Sequence, residues 1–182
     1  MKWNQRRTYI LVSLVFLLSI VYGLRSYKIR QRRNDYPQNI SGYDFIFIYG
    51  VNAFRNTPVN KLDTFNDVFT KDMVIDPPIT FDLQLLDSDI QGIIDKMVEI
   101  DFLGYPPKYT PKDTGCHVTP YTTYDLKVYH NGSLLKSVRM DSDRCINDAR
   151  TRRLRSLFSL IIEDIQGTDA FKASKKPTSG YC

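Results

Sequence analysis

The chain has 182 residues, 42% of them hydrophobic, three cysteines and a formal net charge of +5. The basic excess excludes less than it suggests. All eight cations before Asn34 flank one apolar run, and the rest of the chain holds 17 basic against 20 acidic residues. That remainder is mildly acidic, lacks the electrostatic footprint of a phosphate-backbone binder, and implies no nucleic-acid partner.

The apolar run, Thr8 to Leu24, is free of charge and is bracketed by Lys2, Arg6 and Arg7 before it and by Arg25, Lys28, Arg30, Arg32 and Arg33 after it. At about 1.5 Å per residue such a helix spans roughly 25 Å, the lower edge of what a bilayer core of about 30 Å requires. Residues 1–25 are therefore expected to form a transmembrane anchor. A cleaved signal peptide has the same outline, with Val21 and Gly23 small enough for a cleavage site. The length of the run, the lack of Ala-x-Ala and the five cations behind it favour retention. Orientation is contested. The cation tally on either side points the body into the cytoplasm, whereas a short basic stretch before an apolar run is an export signal and the cysteines suit an oxidising space. The expectation is a single-pass cell-membrane protein, its body outside the cytoplasm and the membrane its one assured partner.

Residues 26–41 are polar and basic, contain Pro37, and read as a spacer. The body, 42–182, is long enough for one apolar core and too short for two. Tyr43 to Val51 (YDFIFIYGV) is aromatic and β-branched, a buried strand. Asn52 to Asp63 reads as a loop, and Thr64 to Val74 as a strand whose apolar residues alternate only roughly. Asp76-Pro77-Pro78 reads as a turn, followed by a half-buried strand in which Ile79, Phe81, Leu83 and Leu85 alternate with polar residues.

Ile90, Ile93, Ile94, Met97 and Val98 recur at helical spacing, with Ser88 and Gln91 in the form of a capping box and Gly104, Pro106 and Pro107 as the stop. After a Pro-rich loop, Tyr124 to His130 and Ser133 to Met140 flank Asn131-Gly132, a hairpin signal because both turn positions need positive φ. A second helix carries Leu154, Leu157, Phe158, Ile161, Ile162 and Ile165 on one stripe, opening near Asn147 or Asp148 and closing at Gly167. This order implies an α+β fold: a two-layer sandwich with a four- or five-stranded, mainly antiparallel sheet covered by two helices.

Cys116 and Cys145 flank the hairpin, and antiparallel strands bring those ends together, so a disulfide is expected there; the alternative is two free thiols. Cys182 is either a free thiol or an intermolecular link. Cys116, His117, His130 and Cys145 lack chelating spacing for zinc, and Asp141, Asp143 and Asp148 lack the glycine and glutamate of a calcium loop, so no metal or other cofactor is expected. His130 reads as a solvated turn residue. Tyr105, Tyr109, Tyr121 and Tyr124 gather near the Pro-rich loop and form the candidate binding surface. Arg150, Arg152, Arg153 and Arg155 read as a solvated helix face, or one that meets an acidic partner or wall polymer.

The phrases TFNDVFTKDMVIDPPITFDLQL, MVEIDFLGYP and TPYTTYDLKVYHNG, with this element order, resemble uncharacterised exported or membrane-anchored proteins of Gram-positive bacteria over residues 43 to 165. The resemblance implies a place at the bacterial cell envelope and carries no activity with it. The functional expectation is a membrane-tethered, non-catalytic binding module for a protein or envelope component. The alternative is an envelope-associated enzyme drawing acid and base from His117, the loop 104–120 and the Asp141–Asp148 turn.

Overall fold

The computed structural model describes residues 2–37, 39–51, 60–112, 115–143, 145 and 148–178. It divides into two units, residues 1–38 and 39–182. The first is dominated by one helix, α1, running unbroken from Lys2 to Arg33. No proline interrupts it, and the Arg, Lys and Gln residues after Leu24 are good helix formers, so the basic stretch expected as a spacer is helical to Arg33. Arg30, Arg32 and Arg33 in its last turn carry the charge sign that the negative end of a helix dipole favours. Every residue from Val12 to Leu24 is exposed. The helix is apolar and long enough to cross a membrane, a property that a signal sequence shares.

The second unit is α+β. Its strands are β1 (Tyr43–Val51), β2 (Asn60–Asp63), β3 (Val68–Met73), β4 (Asp76–Asp82), β5 (Lys108–Tyr109), β6 (Thr122–His130) and β7 (Ser133–Asp141). They form one mixed sheet in the order β4-β3-β2-β1-β6-β7-β5, antiparallel throughout except for β5 beside β7. The sheet thus has seven strands where four or five were expected. The two additions are β2, a four-residue polar segment inside the expected loop, and β5, a two-residue edge. The rest of that expected loop, 52–59, lies outside the described residues.

Strand β1 is the spine. Phe45 and Phe47 are fully buried and sit opposite Val128 and Leu126 of β6, while Phe47 also faces Leu62 of β2. Such cross-strand apolar pairs are the unit of sheet stability, and they mark the inner face; Ile46, Ile48 and Lys127 alternate onto the other. Pro77 and Pro78, expected in a turn, lie in β4. The chain turns instead at Val74 and Ile75. Because β4 is an edge, a missing N–H there interrupts no ladder.

Helix α2 (Asp87–Ile100) buries Ile93, Ile94, Met97, Val98 and Ile100. The Ser88–Gln91 capping box does not form. Leu86 stands at the N-cap, and its backbone N–H donates to the Asp89 carboxylate at 3.0 Å. Asp101 closes the helix in the left-handed conformation, φ 63°, ahead of the expected stop at Gly104. Helix α3 (Ala149–Gly167) opens on Asp148, whose carboxylate accepts from Thr151 N at 2.7 Å; Asn147, the other expected start, lies outside the described residues. α3 packs against α2 and meets the sheet through Phe158, whose ring stacks on Phe47 at 5.6 Å and Tyr124 at 4.8 Å. A short helix, α4 (Asp169–Ala173), follows, with the Thr168 hydroxyl accepting from Phe171 N.

Candidate functional site

The residues singled out in the sequence fall at both ends of the β6–β7 hairpin. Asn131 and Gly132 adopt φ of 49° and 75° and join β6 to β7, the pair of positive angles a two-residue turn of this hand needs. At the other end the pairing continues past the strands. Ser142 N donates to Thr122 O at 2.8 Å, Val118 N to Asp143 O at 2.8 Å and Cys145 N to Cys116 O at 3.2 Å. That backbone contact holds the Cys116 and Cys145 Cα atoms 5.4 Å apart, and the two are joined by a disulfide. A cleft of about 290 Å³ opens beside the staple, lined by Val118, Pro120, Tyr121, Ser142, Cys145 and Arg155. It holds a phenol, a guanidinium and small polar groups, a set suited to recognising a polar or anionic surface.

Of the four tyrosines expected to form a surface, only Tyr121 lines this cleft. Tyr105, Tyr109 and Tyr124 are 2%, 9% and 9% exposed and belong to the core. Tyr124 is stacked between β1 and α3 on Phe47 and Phe158. The Tyr105 hydroxyl donates to Arg150 O at 2.8 Å, and the Arg150 guanidinium lies 4.6 Å from its ring centroid and donates to Gly104 O at 2.7 Å. Arg150 therefore ties the end of α2 to the start of α3 as well as meeting solvent. The Thr151 hydroxyl donates to Asp148 Oδ2 at 2.5 Å, and the Tyr109 hydroxyl, 2.9 Å from Thr151 Oγ1, donates to Asp148 Oδ1 at 3.4 Å. Burial pushes the Asp148 carboxyl up, but the hydrogen bonds from Thr151, Arg150 N and Tyr109 outweigh it and hold the group below its ordinary value. Burial, then the neighbouring Tyr109, raises Tyr105.

The histidines part company. His117 is exposed. His130 is half-buried rather than solvated. Its ring meets Tyr43 edge-on at 5.1 Å, and its Nε2 is enclosed without a partner. Among the described residues no three His, Cys, Asp or Glu side chains converge to hold a metal ion. Cys182 lies outside the described residues.

Two further clefts were not foreseen. One of about 460 Å³ lies where α2 begins and α3 ends, lined by Asp89, Glu163, Asp164 and Asp169 with Gln84 and Thr168. Asp164 Oδ2 is enclosed there with no partner, and burial, then Asp89 and Glu163, pushes its carboxyl up to about 6. The other, of about 510 Å³, is lined by Lys71, Gln166, Phe171, Lys172, Ser174 and Lys176. Asp164 was hidden among the apolar residues of the α3 stripe. Lys71 left a faint signal, since it breaks the alternation of Phe69 and Met73 along β3.

No family model, curated protein or solved structure matches the chain. Function therefore rests on the residues alone.

Proposed function

We propose that the protein is a membrane-tethered binding module of the bacterial cell envelope. In this reading α1 is an uncleaved single-pass anchor, and the body outside the cytoplasm folds as a two-layer sandwich without catalytic activity. The resemblance to exported and membrane-anchored proteins of Gram-positive bacteria agrees with that placement. The observation that carries the reading is the Cys116–Cys145 disulfide in a body that follows an exposed apolar helix. Such a bond persists in an oxidising compartment and is rare where thiols are kept reduced. The basic residues between Arg25 and Arg33 then lie against headgroups, where anionic lipid attracts each cation by about 1 kcal/mol.

The cleft beside the disulfide, with Tyr121 and Arg155, is the surface through which a protein or envelope component is bound. The staple and the extended backbone pairing hold one wall of it in place before binding, which lowers the ordering cost of association.

Protease treatment of intact cells making the full chain tests the placement. The reading expects the body to be digested from outside, and its cysteines 116 and 145 to resist alkylation until a reductant is added. A body protected until the cells are lysed would overturn it.

A further inference from the structure

Lys71 is anomalous for its position. It lies on β3 between Phe69 and Met73, on the inner face of the sheet, and is only 8% exposed. A buried ammonium is normally paired with a carboxylate, since leaving its charge unpaired in the interior costs several kcal/mol. Among the described residues none pairs with Lys71. Its Nζ donates to Ser174 Oγ at 2.8 Å and to the Lys175 carbonyl oxygen at 3.0 Å, both neutral, and sits 4.3 Å from the centroid of the Phe171 ring. Two of its three N–H groups are thus satisfied by oxygen, and its positive charge by no carboxylate among the described residues.

The surroundings add positive charge instead of cancelling it. Lys172 and Lys176 line the same cleft of about 510 Å³, with the Gln166 amide as a neutral donor; the Ser174 hydroxyl spends its proton on Phe171 O, and one N–H of the Lys172 ammonium goes to Gly167 O. Lys176 and burial both press Lys71 towards the uncharged form. Asp76 is engaged elsewhere, accepting from Thr178 at 3.1 Å and pairing with Lys175 at 3.7 Å. Three lysines thus line one space, which is larger than a chloride or a water needs.

We propose that this cleft is an oxyanion site that takes a phosphoryl group, with the Lys71 ammonium at its floor and Lys172 and Lys176 at its rim. A phosphoryl group brings up to two negative charges and three acceptor oxygens, which suits three lysines and one neutral amide donor. The cavity exceeds the volume of inorganic phosphate, so the phosphoryl group is carried on a larger molecule, either a soluble phosphate ester or the headgroup of an anionic lipid. The site lies apart from the Tyr121–Arg155 cleft and goes beyond the binding role assigned there.

The test uses the full chain in an uncharged detergent at constant ionic strength, titrated calorimetrically with inorganic phosphate, then with glycerol phosphate, and finally with micelles doped with phosphatidylglycerol. The expected result is saturable one-site binding, at least tenfold weaker in Lys172→Gln/Lys176→Gln, whose two changes are on exposed residues and spare the core. Lys71→Met, whose folding is checked by circular dichroism, abolishes it. Saturation by the soluble phosphates assigns a soluble ester. Saturation by doped micelles alone, lost in the double variant, assigns a lipid headgroup. No saturable binding in any arm, or binding equally strong in the double variant, overturns the proposal, the latter because the basic flank of α1 would then be the lipid contact.

Discussion

On one flank of the sheet, β6 and β7 are joined by a two-residue turn at one end and a disulfide at the other, both contributed by residues close in sequence. On the opposite flank, β2, β3 and β4 are short and the inner-face Lys71 is held by Ser174, 103 positions away. The first flank is closed by local chemistry; the second is closed by a segment from the far end of the sequence. The turns differ in the same sense. Asn131-Gly132 accepts positive φ readily, whereas the β3–β4 connection places the β-branched Val74 at φ 64°, where such a residue is strained. One flank is thus built for rigidity and the other is pinned, with strain, around a cationic cleft.

Removing the staple should have the largest effect. A loop of 29 residues closed by a disulfide stabilises by about 3 to 4 kcal/mol on loop-entropy grounds. Cys116→Ala/Cys145→Ala should lower the denaturant midpoint accordingly, and adding reductant to the wild type should reproduce most of the loss. An unchanged midpoint would show that backbone pairing alone holds this flank. Next comes the pin of the opposite flank. Ser174→Ala deletes a hydrogen bond to a buried ammonium, worth about 2 kcal/mol, and proteolysis after residue 166 should accelerate while the hairpin stays protected from hydrogen exchange. Equal deprotection of both flanks would mean the two are not separable.

The turns give a paired experiment of opposite sign. Nothing lies within 4 Å of a Cβ built on Gly132, so Gly132→Val costs only the conformational penalty of a left-handed residue, about 1 to 2 kcal/mol. Val74→Gly removes that penalty from the other flank, offset by the entropy of a glycine in the unfolded chain, and should stabilise by at most about 1 kcal/mol. Thermal melts of the two variants should move in opposite directions. Movement in the same direction would refute the assignment of strain to Val74.

The same contrast decides what could be read from residues alone. Asn131-Gly132, the Asp148 cap and the apolar stripe of α3 are local signals, and each falls where its local chemistry requires. Strand β2 gave no such signal, because Asn60–Asp63 has no strand pattern of its own and is a strand only through its pairing with β1 and β3. Pro77 and Pro78 read as a turn because prolines are barred from interior strands, and nothing nearby announces that β4 is an edge. The tyrosines show the limit for sites. Their spacing suggested a surface, but Tyr105, Tyr109 and Tyr124 are buried against residues of α3 far along the chain. Lys71 was legible only as a flaw in an alternating pattern, since its partner Ser174 and the companion cations Lys172 and Lys176 arrive from the far end.

The smallest effect sharpens the comparison at the acidic cleft between the helices. Asp164 Oδ2 is enclosed without a partner and faces Asp89 of α2 and Glu163 of its own helix, with Asp169 of α4 lining the same space. Its carboxyl, pushed up to about 6, binds its proton more tightly in the folded chain than in the unfolded one. The stability this proton confers is complete below the ordinary carboxylate value and disappears as pH rises through about 6. Asp164→Asn is uncharged at every pH, so it should melt higher than the wild type at pH 7.5 and match it near pH 4. Because the group is partly solvated the gain stays below about 1 kcal/mol, on the order of 2 °C. Melts of both proteins across that range provide the check. A difference that does not close as the pH falls would place the cause in packing, and would leave the acidic cleft without the repulsion that sets it apart from the cationic one.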